Sequence, residues 1–218
     1  TRGRSLCNLP SAGERLRVSF DSTSHTYKID EKPVSSVTQV LKQSGIIDGR
    51  FYHKKAAHRG TVAHEAIVLA DQEVVGPEFY ASEIAGYVMA FMKFKRETGW
   101  ESVGHEQIVF DPENEYAGTQ DLLGVLNGKL TIVDIKTGKP AEWHGIQLAA
   151  YRTAPYRQEP DGTVVEQDKS VQVRNLYVSQ DGRYQLADRH NACRYDMKVW
   201  DQRWKSALKA RAYAADQV

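Results

Sequence analysis

The chain has 218 residues and nearly balances 29 Lys and Arg against 28 Asp and Glu, which leaves a formal net charge of +1. This balance neither supports nor excludes a nucleic-acid partner, so any such site must be a local patch. Its two cysteines, Cys7 and Cys193, argue against a disulfide scaffold, a zinc ribbon and a four-cysteine iron–sulfur cluster. No apolar run approaches the roughly 20 residues of a membrane span, and we expect a reducing, intracellular setting.

Residues 1–50 are predicted to form an accessory hairpin and a short helix. The runs RVSF and HTYKID alternate around DSTS like a β-hairpin, and KPVSSVTQVLKQSG is predicted to turn through Pro33 into a short helix that ends at Gly45. Residues 51–218 are predicted to form the core with a helical lobe, in one compact domain overall. Here FYHKKAAHRGTVAHEAIVLADQE favours a helix that starts near Gly60 and carries His64, and YASEIAGYVMAFMKFKRETG favours a second helix.

Strand patterns follow the second helix. SVGHEQIVFD, YAGTQDLLGVL and KLTIVDIK are strand-like, and the Asn-Gly between the last two is a strong hairpin signal. EWHGIQLAAYRTAPYR is typical of a helix, VQVRNLYVS and RYQLAD predict paired strands, and a last helix is expected from about Asp196 to Ala215. The order predicts an α/β fold in which helices flank a mixed central sheet.

The segment LTIVDIKTG places an acid and a base at the end of an apolar strand. Asp134 and Lys136 are two residues apart, so their side chains point to the same face of that strand. The run LTIVDI is apolar on both faces, which indicates a central strand and places both charges near buried surface. A buried charge is costly unless it is paired or bound to a metal, and a structural salt bridge explains this pair equally well when it is taken alone.

Other polar residues can converge on that strand end. Asp121 lies on the predicted hairpin partner of the Asp134 strand, and two carboxylates suit Mg²⁺ or Mn²⁺. Gln147 and Tyr151 are four apart on the following helix and share one face, and His64 can add an imidazole. Taken singly, each has an ordinary alternative as a turn, surface or core residue.

The series GTVAHE, GTQDLLG, IVDIKTG and QLAAY, within residues 60–151, resembles the PD-(D/E)XK nuclease superfamily and, within it, the RecB-type group. In that group a G-x-x-x-H helix precedes G-x-x-D, D-x-K-T-G and Q-x-x-x-Y elements. HTYKIDEKPVSSVTQVL is also similar to the lead-in element of stand-alone phage and mitochondrial exonucleases of this type, with Ser35 in place of a proline. The resemblance implies a restriction-endonuclease-like core with an N-terminal helical lobe.

The resemblance also implies a metal centre. Asp121 and Asp134 would be the carboxylate ligands of Mg²⁺ or Mn²⁺, the main-chain carbonyl of Ile135 would assist them, and His64 would be an additional ligand. Many RecB-type relatives carry four cysteines around an iron–sulfur cluster. This chain lacks them, so no iron–sulfur cluster is expected.

Further roles follow from the same resemblance. Lys136 would polarise or hold the attacking water, while Gln147 and Tyr151 would position water, substrate or Lys136. Glu106 is a possible outer acid, and an outward-facing strand carboxylate is the equal alternative. A bound metal would neutralise the scissile phosphate and generate hydroxide near neutral pH, which phosphodiester hydrolysis requires.

DNA contacts are expected from local basic patches with aromatic neighbours. The first patch precedes the His64 helix and consists of Lys54, Lys55, Arg59, Phe51 and Tyr52. Its aromatic rings can stack unpaired bases. Further basic clusters close the second helix at KFKR and lie in the last helix at RWKSALKAR, where Trp204 is another candidate for stacking. Charged helix faces are usually solvent faces, and a helical tryptophan is more often core.

The sequence therefore predicts a Mg²⁺- or Mn²⁺-dependent deoxyribonuclease that acts as an exonuclease from DNA ends and prefers single strands. A structure-specific endonuclease on the same core and an inactive DNA-binding relative are the alternatives. The expected partner is DNA with free ends, in repair or recombination, with no membrane association. The expected location is the cytoplasm of a bacterial or phage system, and the mitochondrial matrix is the alternative.

Overall fold

The computed structural model describes residues 16–48, 54–187 and 197–215, with the backbone alone at 54–57 and 214–215. Ten strands of this described chain form one open, mixed sheet flanked by helices, which confirms the predicted α/β class with a mixed sheet. Within the same ranges no helix has the length and apolar character needed to cross a membrane.

The strands and helices are numbered in chain order. The strands are β1 (Val18–Asp21), β2 (Thr26–Ile29), β3 (Lys32–Ser36), β4 (Glu101–Asp111), β5 (Tyr116–Leu126), β6 (Lys129–Lys136), β7 (Tyr156–Gln158), β8 (Val164–Glu166), β9 (Gln172–Val178) and β10 (Tyr184–Leu186). The helices are α1 (Val37–Gln43), α2 (Lys54–Asp71), α3 (Ser82–Thr98), α4 (Glu142–Thr153) and α5 (Met197–Ala215). A short 3-10 helix at Pro77–Phe79 precedes α3.

The sheet divides beside β5. One edge of β5 pairs antiparallel with β4. On the other edge, Tyr116 and Ala117 pair in parallel with β3, whereas the stretch from Leu122 to Leu126 pairs antiparallel with β6. Residues 118–121 therefore lie between two different partner strands, and we call this opening the fork. Beyond the fork, β6 pairs in parallel with β9, and β9 pairs antiparallel with β10.

The N-terminal hairpin β1–β2 is confirmed. Residues 32–36 were predicted as a turn that leads into the helix, but they form strand β3. A capping box fixes where β3 ends and α1 begins. Oγ of Ser36 accepts a hydrogen bond from the backbone N–H of Gln39 at 3.1 Å, and Oε1 of Gln39 accepts one from the backbone N–H of Ser36 at 2.7 Å. Helix α1 ends two residues before Gly45, as predicted.

Helix α2 begins at Lys54, so the predicted start near Gly60 was wrong. Gly60 lies inside the helix, at the point where the helix passes close to the loop after β6. A Cβ at this position would lie 3.3 Å from Oγ1 of Thr137, which is tighter than an ordinary contact. The glycine therefore marks a packing contact and not a helix start.

The hairpin between β5 and β6 is confirmed. Asn127 and Gly128 both adopt positive φ, at 50° and 72°, as a two-residue type I′ turn requires. The predicted helix after β6 was only partly right, because α4 stops at Thr153 and residues 156–158 pair with β4 as β7. Pro155 follows shortly after that end, and helical geometry is disfavoured at Ala154, the residue before the proline.

Helices cover both faces of the sheet. Helices α2 and α3 pack on the face that carries Leu122, Val133 and Ile135, and helices α1, α4 and α5 pack on the opposite face. Asp134 alternates with these residues and so belongs to the α4 face. Trp204 of α5 is buried edge-on against Tyr116, with ring centroids 4.9 Å apart, so its suggested role in base stacking was wrong.

Candidate active site

Two buried carboxylates meet at the fork. Asp121 lies on β5 and Asp134 on β6, and they are 8% and 1% exposed. The backbone N–H of Ile135 donates to Oδ2 of Asp121 at 2.6 Å, so this carboxylate is tied to the neighbouring strand beyond the last paired residues. The structure thus brings together the two aspartates that the sequence singled out, and Ile135 contacts Asp121 through its backbone N–H.

The two carboxylates have unequal affinities for a proton. Burial raises the pKa of Asp134 to about 6 against the opposing charge of Lys136, and the charge of Asp121 adds to the rise. Burial acts in the same direction on Asp121, but the charge and hydrogen bond of His64 outweigh it and lower its pKa. Asp134 therefore holds a proton more readily than Asp121, and the positive charges of Lys136 and His64 oppose the negative charge of the pair.

His64 reaches the fork from α2. Its Nδ1 lies 3.5 Å from Oδ2 of Asp121, and 27% of its side chain remains exposed. Burial would lower the pKa of His64, but the Asp121 carboxylate outweighs burial and raises the pKa above its ordinary value. The fork therefore lets a side chain from the α2 layer meet the carboxylates.

Lys136 begins a chain of polar contacts that ends on α4. Its Nζ contacts Oδ2 of Asp134 and donates to Oε1 of Gln147 at 2.9 Å. Nε2 of Gln147 donates in turn to the hydroxyl of Tyr151 at 2.8 Å. The shared face predicted for Gln147 and Tyr151 does point toward the strand end. Because an ammonium can only donate, Lys136 fixes Oε1 of Gln147 on its own side, which leaves Nε2 to donate to Tyr151.

Tyr151 also fills the fork beside Gly118. A Cβ at Gly118 would lie 2.8 Å from Cε1 of Tyr151 and 3.0 Å from Cγ2 of Val37. Only glycine fits this close approach. Burial raises the pKa of Tyr151 well above its ordinary value, so the phenol stays neutral as a hydrogen-bonding group.

Two residues at the start of α4 contribute to the site without having been predicted. The Trp143 ring centroid lies 5.4 Å from Nζ of Lys136, which is cation–π distance. Burial, together with the charge of Lys136, lowers the pKa of His144 to about 3, so this imidazole is neutral. Trp143 precedes Gln147 by four residues, so extending the Gln147–Tyr151 face by one turn would have found it.

Glu106 of β4 lies beside Asp121. The register pairs the residues on either side of it, His105 with Leu122 and Gln107 with Gln120, so Glu106 stands next to Asp121. Its φ of 48° is uncommon for a residue other than glycine. Glu106 as a whole residue is exposed, but neighbouring groups shield its carboxyl from water. This desolvation raises the pKa of Glu106 to about 7, and the charge of Asp121 adds to the rise.

The donor set suits a hydrated divalent cation. Among the residues described, no group of three or more His, Cys, Asp or Glu side chains is arranged as a metal-binding cluster. Mg²⁺ usually keeps several waters and takes only one or two carboxylates, a requirement that Asp121 and Asp134 meet. The two carboxylates supply the oxygen ligands that these ions prefer, so the residues fit Mg²⁺ or Mn²⁺.

The predicted DNA contacts are only partly visible. Phe51 and Tyr52 lie outside the described residues, as do the side chains of Lys54 and Lys55, and Arg59 is exposed on α2. On α3, Lys95 binds Asp71 at 2.7 Å and Lys93 lies 4.0 Å from Glu97. These pairings favour the ordinary alternative of a structural and solvated face for the α3 cluster.

A scan of protein-family models and a search of curated proteins found no match to this chain. A functional assignment must therefore rest on the geometry of the fork and on the motif series. Both concern the same residues: His64, Asp121, Asp134, Lys136, Gln147 and Tyr151.

Proposed function

We propose that this protein is a Mg²⁺- or Mn²⁺-dependent deoxyribonuclease with a PD-(D/E)XK-type core, acting as an exonuclease on DNA ends. The observation that carries the proposal is the continuous set of contacts at the fork. His64 contacts Asp121 on one side, and Asp134, Lys136 and Gln147 form a chain on the other. A structural salt bridge would explain Asp134 and Lys136, but it would require neither a second buried carboxylate nor an imidazole from the opposite layer.

The chemistry of phosphodiester hydrolysis fits this set. A bound divalent cation supplies charge neutralisation at the scissile phosphate and lowers the pKa of a bound water. Asp121 and Asp134 would hold that cation, with the carbonyl of Ile135 and the imidazole of His64 as further protein ligands. Because both carboxylates are buried, they attract a cation more strongly than they would in bulk water.

Lys136 is the proposed catalytic residue that touches water or substrate. An ammonium has three N–H donors, of which one bonds Gln147 and the ion pair with Asp134 engages at most one more. The third can donate to the attacking water or to a phosphate oxygen. Gln147 and Tyr151 act as positioning residues, because they hold the ammonium in place through their own hydrogen bond.

Action on single strands with free ends is the finer part of the proposal. Helix α2 carries both His64, which lies at the fork, and the exposed Arg59. A strand that reaches the carboxylates must pass beside this helix. We infer that the strand enters the fork unpaired, and contacts to its phosphates read no sequence. The proposed activity is therefore end-dependent, sequence-tolerant and sensitive to salt.

The test compares a linear single strand with a covalently closed circle of the same sequence. In Mg²⁺ or Mn²⁺ the linear strand should shorten from an end while the circle remains intact. A circle cut as fast as the linear strand would replace the exonuclease with an endonuclease on the same core. DNA binding without cleavage of either substrate would identify an inactive relative.

A further inference from the structure

A cavity of about 640 Å³ opens next to the candidate active site. Its walls come from the loop after β6, the end of β9, the β9–β10 hairpin and Arg59 of α2. Thr137, the residue after Lys136, belongs to the wall, so the cavity and the fork adjoin each other. Strands β6 and β9 are parallel, with Lys136 paired to Tyr177, and open α/β sheets bind ligands at the carboxyl ends of such strands.

The wall of the cavity is strongly cationic. Its lining residues carry three positive side chains, those of Arg59, Lys139 and Arg183, and no carboxylate occurs among the described residues that line it. The whole chain has a net charge of only +1, so this is a local concentration of charge. A cavity with one sign of charge attracts ligands of the opposite sign.

Arg183 already has a partner, but a weakly held one. Its Nε donates to Oδ2 of Asp181 at 2.7 Å, and the two side chains are 80% and 49% exposed. Exposed ion pairs contribute little stability. A guanidinium has five N–H donors, so Arg183 can bind a phosphate oxygen while it keeps this contact or after it releases it.

The aromatic rings of the wall are already engaged. Tyr184 packs edge-on against Phe94, with ring centroids 5.6 Å apart, and its hydroxyl donates to Glu97 at 2.9 Å. The hydroxyl of Tyr177, a buried residue, lies 3.0 Å from Nδ1 of His144. The groups of this cavity that remain available to a ligand are therefore chiefly its cations, which suit the phosphates of a nucleic-acid backbone.

We propose that this cavity binds the sugar–phosphate backbone of the DNA strand that adjoins the scissile nucleotide, through Arg59, Lys139 and Arg183. The inference rests on the proposed nuclease function, since it assigns the neighbouring stretch of the same substrate. Gly60 supplies the structural link, because its close contact with Thr137 brings α2, and with it Arg59, to the loop that carries Lys139. The cavity recognises the strand without reading its sequence.

The test measures binding without cleavage. Fluorescence anisotropy of a labelled oligothymidylate is recorded in EDTA across a salt series for wild type and for the double variant Lys139→Gln/Arg183→Gln. These changes remove charge and keep most of the side-chain length. The matched control is Lys129→Gln/Arg17→Gln, because Lys129 is an exposed lysine at the opposite end of β6 and Arg17 is an exposed arginine next to the edge strand β1.

The cavity variant should bind about tenfold more weakly than the control, and the slope of log Kd against log salt should fall by roughly 1.4, because each phosphate contact on a single strand contributes about 0.7. Thermal melting of both variants should match wild type. Equal affinity and equal slope in the two variants would overturn the cavity assignment, even if wild type still cleaves DNA. The opposite outcome can be distinguished from this one. Tight binding that depends on the cavity, with no cleavage in any metal, would support the proposed cavity site and refute the proposed nuclease activity.

Discussion

The backbone N–H of Ile135 donates a 2.6 Å hydrogen bond to Oδ2 of Asp121, and this bond spans the fork between β5 and β6. Strand pairing stops at Leu122 and Val133, so a carboxylate side chain continues the connection where the backbone ladder ends. The bond holds the carboxylate of Asp121 beside Asp134, and it adds to the charge and hydrogen bond of His64 in lowering the pKa of Asp121. The architecture of the sheet therefore presents two acids to one small volume.

Asp134→Asn should abolish cleavage without lowering thermal stability. Burial and the charge of Asp121 raise the pKa of Asp134, which means that the folded state disfavours its ionised form. A neutral isostere removes that unfavourable charge, so the melting temperature should stay equal or rise, while turnover should fall at least about 100-fold. Nuclease assays and thermal melting on the same preparation check both parts, and retained activity would remove Asp134 from the catalytic set.

His64→Ala should weaken metal binding. His64 lies 3.5 Å from Asp121 and can turn its imidazole to a cation held by that carboxylate. Titration calorimetry with Mn²⁺ should show an affinity at least about tenfold lower than wild type. His25→Ala, at an exposed histidine between β1 and β2, is the matched control. A wild-type dependence of rate on Mn²⁺ concentration in His64→Ala would count against a ligand role.

The losses of turnover caused by Gln147→Leu and Tyr151→Phe should not be additive. Gln147 bonds Lys136 directly, whereas Tyr151 only orients the Gln147 amide. Gln147→Leu should lower kcat by up to roughly 100-fold, since misplacing a catalytic group costs on that order, and Tyr151→Phe should cost less. The double variant should be no worse than Gln147→Leu alone. Additive losses would show that Tyr151 contributes to the reaction independently of Gln147.

Gly118→Ala should destabilise the protein by roughly 1–3 kcal/mol, the range for overpacking a filled site. The added methyl would meet the rings and methyls of Tyr151 and Val37 at 3.0 Å or less. Gly138→Ala is the matched control for stability, because a Cβ there meets nothing within 4 Å. Denaturant unfolding of the two variants gives the comparison, and equal midpoints would show that the fork has room to relax.

Asp71 ties together α2, α3 and β4 through hydrogen bonds from Lys95, Ser102 and His105. Burial would raise the pKa of Asp71, but these bonds lower it from its ordinary 3.8 to about 2. The folded state therefore favours the carboxylate, and its contribution is complete above pH 4 and is lost as pH falls toward 2. That contribution is roughly 1–2 kcal/mol after allowance for solvent screening.

Asp71→Asn isolates this effect, because every other carboxylate titrates equally in both proteins. The difference in unfolding free energy between wild type and Asp71→Asn should be constant above pH 4 and should shrink between pH 4 and pH 2. Urea unfolding at a series of pH values measures it. A difference that does not change across that range would mean that the Asp71 bonds do not favour the ionised form.

The parts of the site that the sequence predicted are those that depend on local periodicity. The strand period places Asp134 and Lys136 on one face, and the helix period does the same for Gln147 and Tyr151, whatever the surrounding fold. The Asn127–Gly128 turn likewise pairs two strands by its own geometry.

The parts that were not predicted depend on distant pairing. The fork exists because Ser35 pairs with Tyr116 while Leu122 pairs with Val133, and no local pattern encodes that choice of partners. The same limit explains Gly60, whose neighbour is Thr137 on another element. A glycine that serves a tertiary contact looks, in sequence, like one that starts a helix.

The central claim, metal-dependent hydrolysis of phosphodiester bonds at the fork, is tested most directly by following the oxygen of water. A linear single-stranded oligonucleotide is incubated with the protein and Mn²⁺ in H₂¹⁸O, and the released nucleotides are analysed by mass spectrometry. We predict nucleoside monophosphates that carry one ¹⁸O atom in the phosphate group. No nucleotides should be released in EDTA or by the Lys136→Met variant. Absence of labelled nucleotides from the wild-type protein in both Mn²⁺ and Mg²⁺ would contradict the assignment.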